Sequence, residues 1–181
     1  MACSQTLAGI LKDCASNMGG VVEVYIANSS DVSAVTKTSD KVTAITMNST
    51  AKFKKYQFNP ETSSLSSNYQ VNRQNGTIFV QSDLLMVFNR METAKRIEIT
   101  ALAQGELVVI VKDANGLYWL LGEYEPVVIS AGDGLTGTAR ADRNGYSITL
   151  QDNSPEMPSE ILVGTGTSRS EERRVGKECR S

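Results

Sequence analysis

Three glycines near residue 130 have the spacing of a nucleotide-binding loop. The stretch ISAGDGLTGT, residues 129–138, places Gly132, Gly134 and Gly137 at G-x-G-x-x-G spacing. In a dinucleotide-binding fold such glycines lead from a buried strand directly into a helix, whose N-terminal amides bind the pyrophosphate. Here a second Asn-Gly pair and a strand pattern at 146–150 follow instead. The pattern therefore predicts an accidental match in a mobile glycine loop, residues 131–145, and no bound cofactor.

Carboxylates are the other side chains whose spacing bears on catalysis, because the chain contains no histidine. The absence of histidine excludes Ser-His-Asp and Cys-His nucleophile systems and the usual zinc ligand sets. Glu123 and Glu125 share one strand face, and Asp83 and Glu106 bracket a helical segment. Paired carboxylates on strands are usually solvated, so we predict no catalytic residue and no metal site. A carboxylate enzyme remains an alternative.

Composition favours one mainly β domain. The chain has 181 residues, of which 40% are hydrophobic and 21% charged, with frequent Ser, Thr, Asn, Val and Gly. This usage is typical of β-structure. The net charge of −2 gives no electrostatic signature of nucleic-acid binding. No apolar run approaches the roughly 20 residues that cross a bilayer, and the first residues predict an uncleaved, cytoplasmic start.

The last residues differ from the rest in composition. The segment SEERRVGKECRS closely resembles a peptide translated from sequencing-adapter DNA, so we expect residues 168–181 to be a non-native disordered tail and 1–167 to be the domain. Without that tail the net charge is −4. Cys3 and Cys14 then remain. In a reducing compartment they are expected as two buried thiols, with a disulfide as the alternative.

An Asn75-Gly76 pair predicts a β-hairpin with a two-residue type I′ turn. After it, apolar residues recur at period two on one face of a strand of about a dozen residues, interrupted by Ser82. These residues are Ile78, Val80, Leu84, Met86 and Phe88. Such a strand, about 40 Å long, exceeds the usual five or six residues. We therefore expect a second subunit to complete or cover its sheet, with Ile78, Val80, Leu84 and Met86 among the contacts.

The remaining segments predict strands around one helix. Strands are expected at 20–27, 42–47, 53–58 and 126–130, with a polar loop at 28–41. A helix is expected at about 90–104, with Met91, Ala94, Ile97 and Ala101 on the face that packs on a sheet and Leu102 beside that face. Residues 107–111 and 117–121 are continuously apolar and predict a hairpin that is buried on both faces or that contacts another subunit.

Much of this chain resembles the tail-tube protein family of bacteriophages, in particular tail-tube-like proteins of prophages from gut Bacteroidetes. The similarity is strongest over residues 99–150, with the motifs NGLYWLLG and GTARADRNGY, and includes the opening CSQTLAGILKDC and GGVVEVYIAN. It covers most of residues 1–152. None of these motifs is catalytic.

The resemblance implies a β-sandwich or incomplete barrel with one flanking helix. It also implies homo-oligomeric rings, commonly hexamers, whose sheets join into an inner barrel and which stack into a tube. The partners would be further copies of the chain and other tail proteins (terminator, tape measure, and a sheath where the tail contracts). DNA would be a non-specific passing cargo, with no membrane involved. The protein would be found in the virion tail, and in the host cytoplasm during assembly.

An acidic wall would let DNA slide, because it repels phosphate. The loop 28–41 and the glycine loop, including Gly132, Gly134 and Gly137, would then be candidate ring-to-ring contacts. The alternative of a different class is a monomeric β-sandwich binding module for glycans or proteins. Exposed aromatic residues on one sheet face would favour that alternative.

Overall fold

The structure, a computed structural model, describes residues 9–10, 16–48 and 50–162. The predictions about Cys3, Cys14 and the tail 168–181 lie outside the described residues. Among the described residues, no helix is both long and apolar enough to cross a membrane.

Eleven strands and one α-helix make up the described part of the chain, and the prediction of a mainly β fold is confirmed. A single 3₁₀ turn, Ser29–Asp31, follows the first strand. In chain order the elements are β1 (Val21–Asn28), β2 (Val32–Thr38), β3 (Lys41–Met47), β4 (Lys54–Gln57), β5 (Ser64–Asn72), β6 (Thr77–Asn89), α1 (Thr93–Gln104), β7 (Leu107–Asp113), β8 (Tyr118–Leu121), β9 (Val128–Leu135), β10 (Gly145–Ser154) and β11 (Ser159–Ile161).

The strands form two sheets. Sheet A has seven strands in the order β2-β3-β11-β8-β7-β1-β4, and sheet B has four in the order β5-β6-β10-β9. Neighbouring strands are antiparallel except for β11 and β3, which are parallel. The two sheets with one helix confirm the expected sandwich-like fold.

The main core contains side chains from both sheets and from the helix. Val24 of β1, Val109 of β7, Leu84 of β6 and Leu150 of β10 have no exposed surface, and Leu102 of α1 joins the same cluster. Sheet B thus packs its β6–β10 face against the β1–β7 face of sheet A. Removing these side chains from water is the main stabilising term of such a fold.

A second, smaller cluster lies on the opposite face of sheet A. Val108 and Leu120 are buried there with Val42 of β3. Successive strand residues point to opposite faces, so Val108 belongs to this cluster and Val109 to the main core. The prediction that the β7–β8 hairpin is buried on both faces is therefore confirmed.

The predicted loop at 28–41 is wrong, because half of it is β2 and its two ends belong to β1 and β3. β2 pairs with β3 through a hairpin whose turn contains Ser39 and Asp40, both at positive φ. Its apolar positions Val32 and Val35 pack on the second cluster, while the residues between them are mostly exposed. This polar composition is that of an edge strand with one solvated face.

The helix is confirmed, but its predicted buried face is wrong. Met91 and Ile97 are exposed, by 37% and 58%, and Ala94 and Ala101 are also exposed. The buried residue is Leu102, which was expected beside that face, and Ile99 packs next to it against the main core. Met91 precedes the first helical residue, so the predicted face has one large helical side chain, Ile97, whereas Ile99 and Leu102 are both large and bury more area together.

Candidate self-assembly surface

The three glycines of the nucleotide-like motif do not form a nucleotide-binding turn. Gly132 and Gly134 lie inside β9, so the expected strand at 126–130 and loop from 131 are wrong at this boundary. No helix follows: residues 136–144 connect β9 to β10, with Gly137 at φ 71°. The Asp142 carboxylate accepts hydrogen bonds from the backbone N–H groups of Thr138 and Ala139, at 2.8 and 2.6 Å, which lower its pKa.

Gly132 and Gly134 make room for their neighbours on β10 and in the segment before α1. A Cβ at Gly134 would lie 3.1 Å from two ring carbons of Tyr146 and 3.4 Å from the Met91 methyl group. A Cβ at Gly132 would lie 3.4 Å from Ile148. These glycines therefore let larger side chains lie across a thin edge strand, which is a packing role.

The expected hairpin is present, and β5 and β6 form it. The two-residue type I′ turn is wrong: Asn72 pairs with Thr77, which leaves four residues in the loop. The Asn72 side-chain oxygen accepts hydrogen bonds from the N–H groups of Gln74 and Asn75, and Gly76 has φ 68°. The Asn72 side chain thus closes a wider loop than the Asn-Gly pair alone predicts.

β6 has thirteen residues, close to the predicted length. Of the apolar residues on its alternate positions, only some are exposed and could contact a second copy. Val80, Leu84 and Met86 have no exposed surface, because they fill the protomer's own core. They cannot touch a second copy in this fold. Of the four expected contacts on this strand, Ile78 alone is open, at 64% exposure.

The apolar face of sheet B continues along the β5–β6 hairpin past the region that the rest of the protomer covers. Val71 lies directly opposite Ile78, and Tyr69 lies opposite the buried Val80. These residues share one face, since they occupy alternate positions in register with the core residues. Tyr69 and Val71 are 56% and 53% exposed. The hairpin tip therefore presents apolar surface, continuous with the core, that the described part of the chain leaves open.

The outer strands of the two sheets differ in charge. β2 and β4, the edges of sheet A, contain Lys37, Lys54 and Lys55. In sheet B the edge strand β5 (SLSSNYQVN) has no charged residue, and β9 has only Asp133. Natural proteins usually block an open edge with charge, above all lysine, or with proline. β5 lacks these features over all nine residues, and β9 carries a single charge in eight residues and no lysine or proline.

None of the four strands of sheet B contains lysine or arginine. On the face turned away from the core, β5, β6 and β10 present mostly hydroxyl and amide groups. The polar residues of this face are Ser66, Asn68, Gln70, Gln81, Asp83, Ser147, Thr149, Gln151 and Asn153. Asp83 and Asp133 are the acids on this surface, and Arg143, from the connection between β9 and β10, pairs with Asp133 at 3.4 Å. The outer surface of sheet B is therefore neutral to acidic.

The outer face of sheet A carries compensated charges instead. Glu23 is bound by Lys55 at 2.7 Å, lies 3.8 Å from Lys112, and accepts a hydrogen bond from the Tyr25 hydroxyl. The hydrogen bond from Lys55 is the main cause that lowers the Glu23 pKa to about 2. These side chains satisfy each other, so this surface offers no free charge to a partner.

Two of the four carboxylates considered at the outset are engaged by surface neighbours, while Glu106 and Glu125 are exposed. Glu123 forms an ion pair with Lys37 at 2.7 Å, and Asp83 accepts hydrogen bonds from Gln81. In the described ranges, no group of three or more acidic or cysteine side chains could hold a metal ion.

An open groove of about 380 Å³ lies between α1 and the strands β4 and β6. It is lined mainly by apolar side chains, including Phe88, Ile99 and Leu102. At its rim the Tyr56 hydroxyl donates a 2.5 Å hydrogen bond to Glu98, and burial together with this bond raises the Tyr56 pKa.

The interpretation from sequence missed β5 as the main feature of this surface. The chain has no charged residue from 62 to 72, and this run was the signal that could have identified an unprotected edge strand.

A scan against protein-family models gave no match for this chain. Searches of curated proteins and of solved structures also gave no significant match.

Proposed function

We propose that this chain is the subunit of a tail tube, which assembles with copies of itself into rings that stack into a conduit for DNA. The observation that carries the proposal is the pair of unprotected edges, β5 and β9, on opposite sides of the same four-stranded sheet. The resemblance to phage tail-tube proteins supplies the biological setting.

Pairing of β5 in one copy with β9 in the next is a head-to-tail contact between two different surfaces. Such contacts close into a ring when the rotation that relates one copy to the next is a whole-number fraction of 360°. The two strands are nearly equal in length, so most of their free backbone N–H and C=O groups find partners. Six copies, the number that the resemblance implies, give a barrel of about 24 strands, wider than barrels of about 16–18 strands that enclose an aqueous channel.

The outer surface of sheet B then lines the channel. It has no lysine or arginine in its strands to hold phosphate groups, it carries Asp83 and Asp133, and the one arginine that reaches it from the β9–β10 connection, Arg143, is paired with Asp133 at 3.4 Å. Phosphate contacts from basic side chains supply most non-specific DNA affinity. A lining without them lets DNA pass without binding.

The monomeric binding module is less well supported. Sheet-based glycan sites use exposed aromatic rings, and Phe79 is the sole aromatic residue on the outer face of the sheet B strands. It is only 39% exposed.

The test is negative-stain electron microscopy with sedimentation velocity at rising protein concentration. The full chain and a version ending at Thr167 are compared, because residues 168–181 differ in composition from the rest. We expect rings or hollow tubes. Monomers at every concentration in both versions would contradict the proposal, and a glycan screen would then test the binding module.

The hairpin tip gives a second prediction. We expect the double substitution Val71→Ser with Ile78→Ser to leave the melting temperature nearly unchanged, because both side chains are more than half exposed. It removes apolar area from the proposed contact, so the concentration needed for assembly rises about tenfold or more, which corresponds to about 1.4 kcal/mol.

Leu117→Ser is the matched control for the double substitution. Leu117 is also exposed, by 42%, but it lies in the β7–β8 turn of sheet A. An equal loss of assembly in both variants would show that the hairpin has no special role.

A further inference from the structure

Asp152 is a carboxylic acid buried inside the sandwich. It lies on β10, on the same face as the core residues Ile148 and Leu150, and only 2% of it is exposed. Oδ2 is 2.7 Å from the Ser154 hydroxyl. Oδ1 is the one buried side-chain oxygen or nitrogen of the described residues that has no hydrogen-bond partner.

The polar neighbours of Asp152 compensate a negative charge only in part. The Ser154 hydroxyl and the backbone of Gly122, which follows β8, favour the charged form, but Oδ1 has no hydrogen-bond partner. Ser82 lies opposite Asp152 on β6, but the Ser82 hydroxyl is hydrogen-bonded to Ser67 at 2.7 Å. An ionised carboxylate here would therefore keep one oxygen out of water and unpaired, which is unfavourable.

The charges that act on Asp152 are themselves negative. Glu123 and Glu125 follow β8 in the corner that leads to β9, and both repel a charged Asp152. Lys37, which binds Glu123 at 2.7 Å, is not among the groups that act on Asp152. Burial is the largest cause that raises the Asp152 pKa above its ordinary 3.8, and the two glutamates act in the same direction.

We infer that Asp152 is a proton-controlled latch between the two sheets. When it is neutral, Oδ2 accepts the hydrogen bond that the Ser154 hydroxyl donates, no charge is buried, and the corner that begins at Gly122 stays packed beside it. When it loses its proton, the buried charge repels Glu123 and Glu125 and draws water into the sheet junction. The latch lies just before β9, so its release loosens the start of that edge strand.

The direction of the pH effect follows from proton linkage. A raised pKa means that the folded chain keeps a proton which the unfolded chain has already released. The stability that this group contributes is therefore fully present below pH 3.8. It decreases as the pH rises from 3.8 through the pKa of Asp152 in the folded chain, and it stays low at higher pH. This inference concerns the single folded chain and is independent of ring formation.

The first test is a pH titration of the Asp152 carboxyl carbon by NMR in the monomeric fraction of the protein. We expect a midpoint above 3.8, and a further upward shift in Ser154→Ala, which removes the hydroxyl bonded to Oδ2. A midpoint at or below 3.8 overturns the inference.

The second test compares melting temperatures of the wild type and Asp152→Asn between pH 4 and pH 8. Asparagine mimics the neutral acid in shape, so we expect the variant to gain several degrees over the wild type at pH 8 and little at pH 4. Glu156→Gln, an exposed acid in the following turn, should show no such trend. If the difference in melting temperature between the wild type and Asp152→Asn does not change with pH, the inference is also overturned.

Discussion

Of two single prolines in β5, one at Ser67 and one at Asn68, the proline whose position faces the open edge is expected to abolish assembly while the protomer stays folded. The backbone N–H groups of an edge strand point alternately towards the neighbouring strand and towards the open edge. Adjacent residues of β5 therefore direct one N–H to β6 and the next to the free side. Proline has no N–H, so at the free side it removes only a group that a second copy would use.

The two proline variants serve as controls for each other. The variant whose proline faces β6 breaks the β5–β6 ladder and should lower the melting temperature. The variant whose proline faces the open edge should melt close to the wild type, because edge strands tolerate proline. Circular dichroism separates the two cases before any assembly measurement is made.

Alanine substitutions at the same positions complete the experiment. Ser67→Ala and Asn68→Ala remove the side chains and keep the N–H groups, so both variants should still form rings. Rings formed at wild-type concentrations by the well-folded proline variant would show that β5 is not the pairing edge. The edges of sheet A would be tested next, although their lysines make them weaker candidates.

The sequence was informative where a pattern is local. The helix, the β5–β6 hairpin and the doubly buried β7–β8 hairpin were all predicted within a few residues, because periodicity and Asn-Gly or Gly signals act over short distances. The buried face of α1 was not predictable in the same way. Both stripes of the helix are apolar, and only the position of the core decides that Ile99 and Leu102 face inwards.

The candidate self-assembly surface could not be predicted from the sequence for a different reason. Val80 and Ile78 occupy equivalent alternate positions on β6, yet one has no exposed surface and the other is 64% exposed. The difference is that the rest of the protomer covers Val80 and does not reach Ile78, which no sequence pattern encodes. Similarly, β9 resembles a loop in sequence because Gly132 and Gly134 are common in loops, whereas here they accommodate Ile148 and Tyr146.

Gly145→Ala is expected to destabilise the protomer by about 3 kcal/mol or more, the upper range for overpacking a core. Gly145 is buried at the start of β10, between Asn89 of β6 and Leu135 of β9. A Cβ there would overlap the carbonyl oxygen of Phe88 and lie 3.0 Å from the Asn89 Cα. Both atoms belong to the backbone of β6, so no change of rotamer relieves the overlap.

The measurement is thermal or urea unfolding, with Gly132→Ala as the matched control. At Gly132 a Cβ would make an ordinary contact with Ile148, at 3.4 Å, and with the Ser147 carbonyl oxygen, at 3.6 Å. We expect that variant to stay within about 1 kcal/mol of the wild type, and Gly145→Ala to melt roughly 6–12 °C lower at about 2–4 °C per kcal/mol. Similar melting temperatures for both variants would mean that β6 and β10 do not pair in this register. The proposed ring would then lose the sheet whose two edges it joins.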